Sequence, residues 1–308
     1  MKSKEFNLTM RDGHKSYMYK WEPEDDNKVV GVVQIVHGSC EHSKRYIDFA
    51  NFLTNNSYIV YSCDLRGHGL SVSRKEDLGY FGEKNGWRDL VDDLHEVTEF
   101  IKKEQPDLKV FMLGHSMGSF LARQYGIVYG ESINGIIATG TAHNSRFVLR
   151  LGRFLAERDI KKNGGKLKNE LLNKMSYDSF NNEFKPIRTN KDWLTRDEKI
   201  VDKYIEDKLC NFVFTSAGFR DMFEGLLFIT DKNNIKNTSK NLPILLLSGE
   251  NDPVGNNGKM VKKAFKEYKK CGVTNIKIKL YEGMRHEILY EIEKEEVYED
   301  ILTWFNNN

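Results

Sequence analysis

From residue 29 onward, short apolar runs alternate with stretches whose apolar residues recur at helical spacing. That alternation limits the chain to a largely parallel, doubly wound α/β sheet. Residues 29–36 form a run rich in β-branched side chains, as expected of a central strand buried on both faces. The run enters His37-Gly38-Ser39-Cys40, and a helical pattern follows over about 44–54. Residues 58–62 read as the next strand, ending in the glycine-rich stretch 64–69. Over 87–103, Leu90, Leu94, Val97 and Ile101 share one helical face, closed by Pro106. A strand over 109–113 leads into Gly114-His115-Ser116-Met117-Gly118 and a further helix, and 133–138 is the next strand. Ahead of this unit, residues 6–21 alternate around Arg11-Asp12-Gly13, which predicts a hairpin.

The pattern breaks over 142–231, which is rich in Lys, Asn, Phe and Arg and lacks buried-strand runs. Short helices are expected near 147–157, 168–174, 196–206 and 217–229. This segment reads as a helical cap inserted into a core made of 1–141 and 232–308. The alternation returns with a strand at 243–247, a helix at 258–270, a strand at 276–281 and a closing helix at 295–305.

Composition narrows the function classes. The formal net charge is +2 with both signs interspersed, so no basic field for nucleic acid is expected. Lys161-Lys162 and Lys262-Lys263 read as solvated faces. Four scattered cysteines, Cys40, Cys63, Cys210 and Cys271, show no metal-ligand spacing and read as reduced thiols. No stretch has the length of a signal peptide's apolar region or of a transmembrane helix, and a cytoplasmic protein is expected.

Gly114-His115-Ser116-Met117-Gly118 matches G-x-S-x-G between a predicted strand and a predicted helix, the setting of a nucleophile elbow. A serine hydroxyl needs a base, and the base needs an orienting acid. Downstream, Asp252 follows the returning strand and His286 follows the last one, in the order Ser, acid, His. Both fall at carboxyl ends of strands, where sites in open α/β sheets gather. Glu250 is the rival for the acid. The oxyanion of an acyl-transfer intermediate requires backbone donors, here the N–H groups of Met117 and of Ser39 after the first strand. His14, His37, His42, His68, His95, His115 and His143 are not expected to act as the base. No cofactor or metal is implied by this set.

His37-Gly38 with Glu41-His42 and Arg45-Tyr46, then Asp64–Ser71, then the elbow, resemble the monoacylglycerol lipase and lysophospholipase family among the serine-aminopeptidase-like α/β-hydrolases. The resemblance covers nearly the whole chain outside the cap. It implies an α/β-hydrolase fold, with Ser116, Asp252 and His286 on the triad and Ser39 and Met117 on the oxyanion hole. It also implies cleavage of a small-molecule carboxylic ester of the monoacylglycerol or lysophospholipid type through an acyl-serine. Cys40 is unusual after the first His-Gly, and the family pattern often has a small residue there. The 64–71 loop reads as structural, anchored by Asp64 and Arg66. The cap aromatics, Phe147, Phe154, Tyr177, Phe180, Phe184, Trp193, Phe212, Phe214, Phe219, Phe223 and Phe228, are expected mainly in the cap's own core and its seam with the sheet domain. Some of them would line an acyl tunnel, and any lipid contact would come from the cap surface. Two alternatives stay open: an aminopeptidase or amidase (or short-chain esterase or thioesterase) on the same scaffold, and a non-catalytic binding protein.

Overall fold

The computed structural model describes residues 1–25 and 29–308. Eight strands form one sheet: β1 (Lys2–Thr9), β2 (Lys15–Glu22), β3 (Gly31–Val36), β4 (Tyr58–Cys63), β5 (Val110–His115), β6 (Gly135–Thr139), β7 (Ile244–Gly249) and β8 (Ile276–Tyr281). Their spatial order is β1-β2-β4-β3-β5-β6-β7-β8. The hairpin β1–β2 is antiparallel and joins β4 antiparallel. Every pairing from β4 to β8 is parallel.

Helices cover both faces, which is why β3 is buried at every position. Val32 and Val36 enter one apolar cluster, and Val33 and Ile35 enter the other. The second cluster packs under α1 (Ile47–Asn55) and the C-terminal helix over 294–306. The first packs under α2 (Gly86–Glu104) and α3 (Met117–Val128). Trp87 Nε1 of α2 donates to Gln124 Oε1 of α3 at 3.0 Å, fixing the two helices together.

Between β6 and β7 the chain forms α4 (Arg146–Asn163), α5 (Glu170–Tyr177), α6 (Glu198–Glu206), α7 (Ser216–Ile229) and the short α8 (Lys232–Ile235). Polar side chains start α5, α6 and α7 as capping predicts. Asn169 accepts from the Leu172 N–H, Asp197 from the Lys199 and Ile200 N–H groups, and Thr215 from the Gly218 N–H. The insert crosses the carboxyl ends of the strands. The Asn211 N–H and Tyr204 Oη both donate to the Cys40 carbonyl at 3.0 Å, and the Glu287 N–H donates to the Leu194 carbonyl at 2.7 Å. The chain then closes with α9 (Lys259–Lys270) and α10 (Lys294–Asn306).

Element boundaries shift by a few residues, as where β6 begins at Gly135 and α5 spans Glu170–Tyr177. The helix expected from about residue 44 begins at Ile47, because Ser43–Tyr46 forms a 3-10 turn. Phe147 and Phe154 join no core: they are 76% and 53% exposed on α4. Among the described residues, no helix is long and apolar enough to cross a membrane.

Candidate active site

Strand β5 ends at His115, and Ser116 turns the chain into α3 with φ 51° and ψ −118°. A non-glycine residue in this region is strained and persists only where its surroundings over-determine it. The neighbouring backbone does so. A Cβ on Gly118 would lie 2.1 Å from the Val36 carbonyl oxygen, and one on Gly114 would lie 2.2 Å from the Gly118 carbonyl oxygen. The two glycines let strand, helix and the end of β3 crowd together and lift the serine above the sheet.

His286 and Asp252 arrive from the loops after β8 and β7. Both are buried, and His286 Nδ1 lies 2.9 Å from Asp252 Oδ1. The same oxygen accepts from the Val254 N–H at 2.9 Å, and Ser248 Oγ donates to the other oxygen at 3.2 Å. The carboxylate is therefore aimed, and it fixes the imidazole tautomer with Nε2 free for the cavity. Burial pulls the His286 pKa down. The charge and hydrogen bond of Asp252, helped by Glu287 and Glu41, outweigh it and hold His286 above its ordinary value. Glu250 is exposed, one residue past the end of β7, and its backbone N–H bonds to Tyr281.

Ser116 and His286 line one cavity together with Ser39. Among the described residues no hydrogen bond joins the Ser116 hydroxyl to His286. Such bonds often form only with substrate in place. Met117 begins α3, so its N–H is one of the helix's unpaired first donors. The Ser39 loop is pinned through His37, whose Nδ1 bonds the Gly38 carbonyl at 2.8 Å while Nε2 accepts from the Leu65 N–H at 2.9 Å. Burial lowers the His37 pKa to about 3, and the neutral ring serves as a structural strut.

His115 is likewise buried and lowered to about 3, and its Nδ1 pairs with Thr139 Oγ1 at 3.0 Å. Cys40 is buried at the cavity wall, and burial pushes its thiol up to about 12, which makes it a poor nucleophile. Asp64 anchors its loop by accepting the N–H groups of Ser43 and Leu70 at 2.8 and 2.7 Å.

Among the described residues, Ser116 lines two spaces. One, of about 30 Å³, is walled by polar groups including Glu41, Lys191, Tyr204 and Glu287. The other, of about 300 Å³, is lined mainly by apolar side chains of α3 and the insert, among them Phe120, Leu149, Leu172, Met222, Phe223 and Leu226. Tyr177 and Trp193 line both. His42, Asp207 and Cys210 bring metal-ligand atoms within 4.8 Å of one another where the insert meets the Ser39 loop. His42 Nε2 and Asp207 Oδ2 are already joined at 2.9 Å, which accounts for that contact without an ion.

The sequence reading did not foresee the contact of Arg45 with Glu41 and Glu287. Glu41 and Arg45 stood among the motif residues. Glu287 carried no signal of its own beyond its place next to His286.

A mostly parallel sheet with a serine on a strained strand-to-helix turn, in one cavity with an acid-held histidine, is the arrangement of an α/β-hydrolase. Residues 27–293 match the serine aminopeptidase, S33 family, and the chain belongs to it. It is 30% identical to a monoglyceride lipase homolog of Monkeypox virus over 98% of this chain and 97% of that one. It is 25% identical to a monoacylglycerol lipase of Mycolicibacterium smegmatis, over 92% of this chain and 90% of the relative. The crystal structure of a highly thermostable carboxyl esterase from Bacillus coagulans in complex with glycerol superposes with a TM-score of 0.91. That protein is 26% identical, and the match covers 100% of this chain and 99% of the other.

Proposed function

We propose that the protein hydrolyses carboxylic esters of the monoacylglycerol type through an acyl-Ser116 intermediate. The observation that carries this reading is the strained Ser116, sharing a cavity with the Asp252-held His286 and opening into an apolar space of about 300 Å³. His286 Nε2 takes the Ser116 proton as Oγ bonds to the ester carbonyl carbon. The carbonyl oxygen becomes an oxyanion, received by the N–H groups of Ser39 and Met117, each such donor contributing roughly 10²–10³ in rate. The C–O bond to the alcohol then breaks, and His286 returns the proton to the leaving oxygen. Water, deprotonated by His286, attacks the acyl-serine and releases the acid, restoring Ser116.

In this reading the acyl chain occupies the apolar space and the small polar cavity receives the alcohol. Residues 142–231 act as the cap that walls both. The exposed stripe Phe147, Val148, Leu151 and Phe154 on α4 makes lipid contact. It is continuous with the acyl space, since Val148 and Leu151 also line that space. Four unpaired cysteines suit a reducing compartment such as the cytoplasm.

The test is turnover of 1-monoacylglycerol and of an amino-acyl anilide by the wild type and by Ser116→Ala. Ester turnover that vanishes in the variant is expected. Anilide cleavage alone would replace the esterase reading with a peptidase.

A further inference from the structure

In the wall of the polar cavity lies a buried ionic bridge that the acyl-transfer steps leave unused. Arg45, from the 3-10 turn before α1, grips Glu287 with both arms, Nη1 to Oε1 and Nη2 to Oε2, each at 2.8 Å. Its Nη1 also bonds Glu41 Oε2. The other oxygen of Glu41 accepts from Tyr46 Oη at 2.9 Å and from the Gly38 N–H. The rings of Tyr204 and Tyr290 lie 4.9 and 4.7 Å from the guanidinium. Both carboxylates are buried.

The partners come from three places. Gly38 and Glu41 belong to the loop that carries Ser39. Glu287 is the chain neighbour of His286. Tyr204 belongs to the insert, and its hydroxyl bonds the Cys40 carbonyl. Two buried carboxylates on one guanidinium are a costly way to hold loops together, and an apolar cluster of similar volume often serves stability as well. The bridge gives what an apolar cluster cannot. It directs the Gly38 N–H, and it leaves one net negative charge beside His286. Glu287 and Glu41 both favour the protonated imidazole.

We propose that Glu41, Arg45 and Glu287 are positioning residues that lock the Ser39 loop to the His286 loop and keep a negative charge next to the base. This rests on the roles given above to Ser39 and His286. Glutamine at position 41 or 287 keeps an acceptor and removes a charge. Lysine at position 45 keeps the charge but loses the planar fork that spans both carboxylates.

The experiment measures kcat and KM for a 4-nitrophenyl ester across the acid and neutral range, with thermal melts as a folding control. The proteins are the wild type, Ser116→Ala, Glu287→Gln, Glu41→Gln and Arg45→Lys. Both glutamine variants should move the acid limb of kcat/KM to lower pH by about half a unit to one unit. Arg45→Lys should lower kcat by roughly tenfold or more with KM changed less than about threefold and the acid limb unmoved. If the acid limb stays in place in both glutamine variants, or kcat is unchanged in Arg45→Lys, the bridge is merely structural. If Arg45→Lys does not fold, the two glutamine variants decide. Turnover that depends on Ser116 alongside unmoved limbs discards the bridge alone, whereas turnover independent of Ser116 discards the reading beneath it.

Discussion

Replacing Asp252 by Asn separates charge from shape at the acid. The side chain is fully buried, and Asn can still accept at Oδ1 from His286 Nδ1–H and the Val254 N–H while its amide group faces Ser248 Oγ. What disappears is the negative charge beside the imidazolium, an ion that exists only after His286 has taken the serine proton. Breaking a buried pair by removing one partner costs about 3–5 kcal/mol. Charged to the transition state alone, that is a fall in kcat of roughly 10²–10⁴. Because Asp252 counters the burial that depresses the His286 pKa, the acid limb of kcat/KM should also move to lower pH in the variant. In the wild type that limb should lie above the ordinary histidine range of about 6.5, with activity rising as His286 loses its proton. The assay is steady-state ester hydrolysis across pH, with Glu250→Gln as the control. The exposed Glu250 should tolerate the change within about twofold. A large loss in Glu250→Gln with little change in Asp252→Asn would refute the assignment of the acid.

The apolar space should be read out by chain length. Each added methylene contributes about 0.8 kcal/mol, so kcat/KM should climb roughly two-hundredfold from a four-carbon to an eight-carbon acyl ester. A flat or falling series would place the acyl chain elsewhere. Gly118→Ala drives a Cβ against the Val36 and His37 carbonyl oxygens, at 2.1 and 2.5 Å, where only backbone can yield. It should cost about 1–3 kcal/mol of stability by denaturant melt and disable the elbow. Phe147→Ser with Phe154→Ser should weaken sedimentation with phospholipid vesicles while leaving turnover of a soluble short-chain ester within about twofold. Unchanged vesicle binding would remove α4 as the contact.

The central strands were legible because they are short, largely apolar runs, and β8, which alternates apolar residues with lysine, falls on the residues expected of it. The serine turn was legible because only a chain with Gly114 and Gly118 can pass so close to β3. Asp252 and His286 could be ordered along the sequence, but their meeting at 2.9 Å depends on the parallel pairing of β7 with β8. The bridge of Glu41, Arg45 and Glu287 was not legible. Arg45 and Glu287 lie 242 residues apart, and nothing in the spacing of the motif that holds Arg45 points to a partner so distant. The insert's aromatics were ambiguous for a related reason. Tyr177 and Trp193 reach the cavity, Phe214 and Phe219 enter the core and Phe147 faces outward, although all share one composition. Periodicity places a side chain on a helix face, but tertiary packing decides what that face meets.

The central claim is that Ser116 is the nucleophile. Its most direct test is reaction with an active-site-directed fluorophosphonate, followed by intact-mass measurement and peptide mapping of the wild type, Ser116→Ala and His286→Ala. The account predicts a single adduct on Ser116, absent in Ser116→Ala and formed far more slowly in His286→Ala. An adduct on Ser39, Cys40 or another residue, or no adduct from a protein that still turns over ester, would contradict it.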